Sequence, residues 1–384
     1  MAMTGCRHFS GYKPCGLSEN CDSACPHFSI ARPYVLIVHL EALGAVLRAT
    51  TVLPAIKARY PKSHITWVTQ APAQHLLKPN SLIDRVLTTS NEDLLALRAL
   101  EFDLALVVDK SLKAAGVAQL ARSKELRGFF ADPKTGAILP ANFEANELWE
   151  LGLSNHKKFF VNKKPETQLI TEAMGFSWQR DEYAVELTAQ ERQLAFKRRA
   201  EWSKSGELII GLNTGCSGVI PYKRWTVDFH RELIAKLAQD QSVKIVLLGG
   251  PEDTERNREI AAGLPVMESP TDGGLRDGLT SVEACDIVVS GDSLGMHMGI
   301  ALRKWVVAWF GPTCAHEIDL YDRGVHILAD VPCGPCWKRS CSNPVMCYDQ
   351  VPMAKVLEAI QKGREWKISS FKPRISATSS SASL

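Results

Sequence analysis

The stretch Ser290-Gly-Asp-Ser-Leu-Gly-Met-His-Met-Gly299 constrains this chain more than any other. An apolar run, Asp286 to Val289, precedes it and reads as a buried strand. A second, Met296 to Leu302, reads as a helix. A glycine-flanked Asp-Ser pair at a strand-to-helix turn predicts a helix N-terminus at the C-terminal edge of a parallel sheet. Open α/β folds bind phosphate there, because backbone N–H groups point outward and the helix dipole favours an anion. Ser293 is the expected N-cap.

Two further segments repeat the pattern. Asn213-Thr-Gly-Cys-Ser217 follows an apolar strand, Leu208 to Leu212. Lys223-Arg-Trp225 comes next and leads into an amphipathic helix, Val227 to Gln239. Small residues followed by a lysine suit a diphosphate: amides and hydroxyls cradle oxygens, and an ammonium neutralises charge. A strand from Lys244 to Leu248 then ends in Gly249-Gly-Pro-Glu-Asp253. Glu252, just past a strand end, is a candidate for ribose hydroxyls, or simply a charge favoured by a helix dipole.

Strand–helix alternation runs through both halves, so two α/β domains with parallel sheets and right-handed crossovers are expected. In the first half, strands fall near Val35, Ile65, Arg85 and Leu104, with helices near Val46, Ala73, Leu94 and Ala114. Lys124 to Phe129 is a further candidate strand and Asn142 to Gly152 a helix, whereas Asn155 to Glu172 reads as polar and irregular. The expected division is a Cys-rich extension at 1–33, α/β domains at 34–182 and 183–330, a Cys-rich loop at 331–349, a helix at 350–368 and a disordered Ser-rich tail at 369–384.

Composition removes several functions. At 384 residues the chain is long enough for two full cores. A net charge of +3 gives no footprint for nucleic acid. No apolar run approaches the ~18 residues of a membrane span, and Met1 to His8 lacks a signal-peptide pattern. The expectation is a cytoplasmic protein without a transmembrane segment, able to visit the inner membrane face if its acceptor is a lipid.

These blocks, in this order, resemble glycosyltransferase family 9, the heptosyltransferases. Val35-Leu-Ile-Val-His-Leu-Glu-Ala-Leu-Gly-Ala-Val-Leu-Arg-Ala-Thr50 is similar to the family's opening strand, glycine turn and first helix. Pro54 to Pro61 and His64 to Val68 match the segments that follow, and Gly291 to His297 with Val306 to Pro312 match its best-known segment. The resemblance implies a GT-B architecture, two Rossmann-like domains facing a central cleft. It implies inverting transfer from a nucleotide-activated sugar, most often ADP-heptose. In the family's pattern Ser217 and Lys223 contact phosphate, and Asp292, Ser293, Leu294 and Gly295 form the other phosphate-proximal loop. Gly44, Asn213, Cys216, Glu252 and His297 complete the implied nucleotide-sugar contacts, with Cys216 where the family usually has a small or hydroxylated residue. Lys223 is also the implied stabiliser of the leaving diphosphate.

One implied residue is missing. The family has Gly-Asp at the first helix, and that aspartate is the expected base; here the pair is Gly44-Ala45. Glu41 in the same turn is the candidate substitute. His39, expected as a packed strand residue, or another cleft acid is the alternative. The Ser293-Leu-Gly295 order also departs from the family, where Gly follows the Ser or Thr directly.

Eleven cysteines form a separate signal, and eight fall in two clusters. Cys333-Gly-Pro-Cys336, Cys341 and Cys347 put four thiols in one short loop, which suits tetrahedral Zn²⁺ or Fe. The resemblance agrees, since some protein-modifying heptosyltransferases carry Cys-bound iron in a comparable loop. Cys6, Cys15, Cys21 and Cys25 are a wider-spaced candidate for a second metal. Either set could accept an iron–sulfur cluster. Both sets read as structural, and the family's sugar transfer needs no metal.

The leading expectation is therefore a glycosyltransferase with a nucleotide-sugar donor and a glycolipid, polysaccharide or protein acceptor. A sugar-nucleotide-binding protein without turnover and a metal-responsive assembly protein are the alternatives.

Overall fold

The computed structural model describes residues 4–9 and 11–371. It holds two compact units. The first runs to Ala195 and takes in Asp272–Thr280 and Thr313–Asp319. The second comprises Phe196–Thr271, Ser281–Pro312 and the chain from Leu320 onward.

The first unit is built on β1 (Tyr34–Val38), β2 (His64–Thr69), β3 (Arg85–Thr88), β4 (Glu101–Val107), β5 (Arg122–Ala131) and β6 (Ile138–Pro140). Their order is β3-β2-β1-β4-β5-β6, parallel except for β6 against β5. β1 is apolar throughout because both faces of the sheet are covered. Val35 and Ile37 pack into one cluster with Val46, Leu53, Ile56 and Ile170. Leu36 and Val38 pack into another with Leu97 and Val117.

The second unit contains β7 (Leu208–Asn213), β8 (Val243–Leu248), β9 (Met267–Glu268), β10 (Ile287–Gly291), β11 (Trp305–Phe310) and β12 (Gly324–Leu328). All run parallel in the order β12-β11-β10-β7-β8-β9. The helix Met353–Phe371 packs on one face through Val356, Ala359 and Ile360, and the Trp305 indole N–H donates to the Ala359 carbonyl at 2.9 Å. Gly299 lets the helix Leu294–Ala301 lie close on the sheet: a Cβ there would meet Val288 at 3.2 Å and Val306 at 3.1 Å.

Three local expectations change. Residues 155–172 are not irregular: a π-helical turn, Lys157–Val161, leads to a helix, Glu166–Ala173. Leu169, Ile170 and Ala173 give that helix its buried stripe, too short to stand out among polar neighbours. The helix expected near Ala73 is one 3₁₀ turn, Ala73–His75, bracketed by Pro72 and Pro79. The C-terminal helix reaches Phe371, and the tail from 372 onward, expected to be disordered, lies outside the described residues.

Candidate active site

Each sheet has one point where the chain reverses its direction of strand addition. It lies between β10 and β7 in the second unit and between β1 and β4 in the first. Loops diverge at such points and leave room for a ligand at the strands' C-terminal ends.

In the second unit the loops after β7 and β10 are tied together by Asn213. Its side-chain amide donates to the Gly215 carbonyl at 2.9 Å, to Ser293 Oγ at 3.0 Å and to Ser290 Oγ at 3.2 Å. Ser293 occupies the N-cap position of the helix Leu294–Ala301, but its hydroxyl makes no capping bond. The expected cap is replaced by the link to Asn213, so the helix's first amides are not consumed by that side chain. Gly295 must stay small, since a Cβ would sit 2.4 Å from the Asn213 side chain. Gly291 is tighter still, 1.8 Å from the Lys223 carbonyl.

Lys223 ends a 3₁₀ turn, Pro221–Lys223, and its Nζ lies 3.6 Å from Asp292 Oδ2. Asp292 Oδ1 is 4.0 Å from His297 Nε2. Asp292 thus holds a lysine and a histidine in place, where a carboxylate alone would repel phosphate. Cys216 is a loop fastener: its thiol donates toward the Ile220 and Pro221 carbonyls at 3.6 Å, and burial pushes its pKa up despite nearby Lys223 and Arg224. Ser217 is exposed, with its hydroxyl accepting the Val219 N–H at 3.2 Å. Glu252 is exposed on the turn Pro251–Asp253, against Gly250. Leu294 is half-buried at the helix start. The contacts therefore join Asn213, Lys223, Asp292, Ser293, Gly295 and His297, and add Ser290, which the sequence reading passed over.

Gly44 belongs to the first unit, in the opening turn of the helix Leu43–Ala49. Ala45 follows and lines a cavity with His39, Glu41, Arg48, Val108, Asp109, Lys110, Glu166 and Ile170. Glu41 is at an exposed edge, its Oε1 3.3 Å from Lys113 Nζ. His39, expected as core packing, is 5% exposed and reaches Asp109 with its Nδ1 2.5 Å from Oδ1. Arg48 pairs with Glu166 at 2.5 Å. Burial would push Glu166 up, but Arg48, Lys110 and Lys158 hold it below the usual carboxylate range. Lys110 is pushed down by burial, which Glu166 only partly offsets. Asp109 and Lys110 carried no motif; their cue is their place just after an apolar strand that pairs with β1.

The C-terminal cysteines converge. Cys333, Cys336, Cys341 and Cys347 line one pocket with Tyr222 and Gly311. Burial first, then the other three thiols, push Cys347 up to about 11. Four sulfur donors that oppose each other's ionisation suit a soft or borderline cation. The Cys341 N–H donates to Tyr222 Oη at 3.1 Å, which ties the loop to the Lys223 turn. Cys6, Cys15, Cys21 and Cys25 are half-buried free thiols in the first unit. Among the described residues, the metal-capable group whose donors lie mutually within 4.8 Å is Cys314, His316 and Glu317, so neither four-cysteine set is drawn that tightly together. That third group is crossed by Lys158, whose Nζ is 3.5 Å from Glu317.

Two parallel-sheet α/β units, one carrying a hydroxyl- and lysine-lined loop pair at its switch point, define a GT-B-like glycosyltransferase. The family model for glycosyltransferase family 9 (heptosyltransferase) matches residues 95–346. The chain belongs to that family and is a glycosyltransferase. Lipopolysaccharide heptosyltransferase 2 of Salmonella typhimurium is 23% identical over 297 residues, covering 73% of this chain and 83% of that one. The solved E. coli ADP-heptose lps heptosyltransferase II superposes with a TM-score of 0.66 at 18% identity, covering 87% of this chain and 99% of that one. The iron-containing dodecameric glycosyltransferase TibC of enterotoxigenic E. coli H10407 gives a TM-score of 0.52 at 13% identity, covering 88% and 78%. No helix among the described residues is long and apolar enough to cross a membrane.

Proposed function

We propose that the enzyme transfers heptose from ADP-heptose, with inversion, to a hydroxyl of a lipopolysaccharide-core acceptor on the cytoplasmic side of the membrane. The observation that carries the reading is the loop pair held by Asn213 beside Lys223, in a chain whose relatives are named for ADP-heptose and lipopolysaccharide. The acceptor hydroxyl attacks the anomeric carbon as the bond from that carbon to the diphosphate oxygen breaks. Charge grows on the departing ADP. Lys223 and the amides at Leu294 and Gly295 are the groups that meet it. Ser217 adds a hydroxyl, and Asp292 positions Lys223 and His297. Glu252 is the candidate for the ribose. A polysaccharide or protein acceptor would use the same chemistry.

Calorimetric titration with ADP, UDP and GDP, then ADP-heptose, tests the donor. Selective binding of ADP and ADP-heptose is the expected result. Equal affinity for all three nucleotides, or none, would remove ADP-heptose as donor.

Cys333, Cys336, Cys341 and Cys347 would hold a structural Zn²⁺ or Fe, which stiffens the loop behind Tyr222 and takes no part in sugar transfer. Cys336→Ser should lower bound metal and drop the melting temperature by about 5 °C. Unchanged metal content and melting temperature would refute this site.

A further inference from the structure

The first unit's cavity contains the position where the family's base is absent, and it contains a different proton acceptor. The parallel pairing of β1 and β4 ends at Val38 and Val107. Main-chain bonds continue past both ends: the His39 N–H donates to the Val68 carbonyl at 3.1 Å, and the Val108 N–H to the Val38 carbonyl at 3.0 Å. This fixes His39 and Asp109, seventy positions apart in sequence, side by side at the switch point. Both Asp109 oxygens are used. Oδ1 meets His39 Nδ1 and Oδ2 accepts the Leu40 N–H at 2.6 Å.

A carboxylate can only accept, so Nδ1 carries the proton and the free lone pair is on Nε2. Nε2 is buried and has no hydrogen-bond partner among the described residues. A buried acceptor left unsatisfied is costly, and a hydroxyl brought into the cavity would satisfy it. His230 shows the contrast. It is equally buried, but its ring packs on Trp225, its Nδ1 bonds the Thr226 carbonyl, and burial pushes it down to about 4. His39 instead lines the cavity.

We propose that His39, oriented by Asp109, is the base that takes the acceptor hydroxyl's proton in place of the carboxylate that Ala45 lacks. This rests on the transferase reading above. As the acceptor oxygen bonds to the anomeric carbon, Nε2 takes its proton. The electron pair of the breaking carbon–oxygen bond leaves with ADP. Asp109 stabilises the imidazolium, which then releases the proton to solvent. His39 is the catalytic residue and Asp109 a positioning residue. The charged groups around the pair are Glu166 and Glu41 on one side of the balance and Arg48, Lys110 and Lys158 on the other.

The test uses the full chain, ADP-heptose as probe, and ADP release with water as acceptor, so it needs no knowledge of the natural acceptor. Wild-type kcat/KM should rise with pH through one ionisation, as for a base that acts deprotonated. His39→Gln should lower turnover about 100-fold or more, flatten that rise, and leave ADP affinity within about twofold. Asp109→Asn removes the charge that stabilises the imidazolium, so its residual activity should show the rise displaced to lower pH. A purely structural role would not move that profile, and Asp109→Asn keeps the test alive if His39→Gln does not fold. Adding Ala45→Asp to His39→Gln should restore part of the turnover. If His39→Gln keeps activity within about threefold of wild type, or Asp109→Asn leaves the pH profile in place, the proposal is overturned and the transferase reading survives. If wild type itself neither binds ADP nor releases it from ADP-heptose, the transferase reading fails and the base falls with it.

Discussion

The two sheets are alike at one edge and different at the other. At the N-terminal edge, each central strand begins on an aspartate. The Tyr34 N–H donates to Asp103 at 2.9 Å, and the Ile209 N–H to Asp286 at 3.0 Å. Asp103 is the third residue of β4 and Asp286 immediately precedes β10, the strands paired with β1 and β7 across the switch points. At the C-terminal edge the resemblance stops. The second unit presents an amide, two serine hydroxyls and a lysine, and needs glycine at 291 and 295 for its loops to close. The first presents a histidine–aspartate pair with an arginine, a lysine and a glutamate around a cavity. One scaffold thus repeats its strand-anchoring device and varies its loops. The varied edges suit two jobs: holding an anion without changing protonation, and exchanging a proton.

The largest effect should come from breaking the loop closure of the second unit. In Gly291→Ala the new methyl would lie 1.8 Å from the Lys223 carbonyl and 3.1 Å from Trp309. Relief means moving backbone, so a loss of ~4 kcal/mol is expected, at the exceptional end for single substitutions. A urea midpoint within error of wild type would show that the turn at Lys223 is looser than this geometry. Lys223→Ala should come next. It should weaken ADP binding about 100-fold, ~2.7 kcal/mol, with stability nearly unchanged. If Asp292→Asn weakens ADP binding as much, Asp292 acts by placing Lys223; if it strengthens binding, Asp292 is only a repulsive neighbour.

The sequence made the second unit's edge legible and left the first unit's hidden. Asn213, Lys223 and the 290–299 segment announce themselves by local spacing, because a strand, a small-residue turn and a capped helix are contiguous in the chain. Even there, the hydroxyl of Ser293 was expected to cap its helix and instead meets Asn213, a contact across two loops. His39 and Asp109 have no local pattern. Their relation exists only once β1 and β4 are neighbours, and a histidine at the end of an apolar strand looks like core. Ala45 was visible as a gap, but what fills a gap depends on tertiary neighbours. The helix Glu166–Ala173 escaped notice for a similar reason, and with it Glu166, which balances Arg48 and Lys110.

The shared aspartates offer a middle-sized test of the common scaffold. Asp286 is almost fully buried, with Arg199 at 2.8 Å and Lys367 at 2.9 Å. Burial would raise its pKa, but Arg199, the Ile209 N–H and Lys367 outweigh it and hold it below the ordinary value. Asp103 is lowered by Lys124 and the Tyr34 N–H, but Lys124 is 80% exposed. Asp286→Asn should cost ~2 kcal/mol and Asp103→Asn under ~1 kcal/mol at pH 7. Both carboxyls have depressed folded values, so their stabilisation is present above the unfolded carboxylate value of about 4 and is lost as pH falls through the folded one. The gap between wild type and each variant in urea midpoint should therefore narrow as pH falls below the unfolded carboxylate value of about 4. A gap that stays constant would mean the contribution is not ionic.

The smallest expected effect is also the sharpest test of the first unit's edge. Glu41 shares the turn with Ala45 and lines the same cavity, so by sequence position it is the natural heir to the missing base. Its carboxylate, however, is 60% exposed and sits against the Lys113 ammonium. Neither water nor that cation aims it at a hydroxyl, and exposed pairs of this kind are worth under ~1 kcal/mol. Glu41→Gln should therefore change turnover of ADP-heptose by no more than about threefold and leave the pH profile alone. His39→Gln and Glu41→Gln differ in burial and in partner, yet both remove one proton acceptor from one cavity. Loss of turnover in Glu41→Gln with retention in His39→Gln would reverse the assignment, and would mean that an exposed loop carboxylate, not a buried dyad, distinguishes this edge from its counterpart.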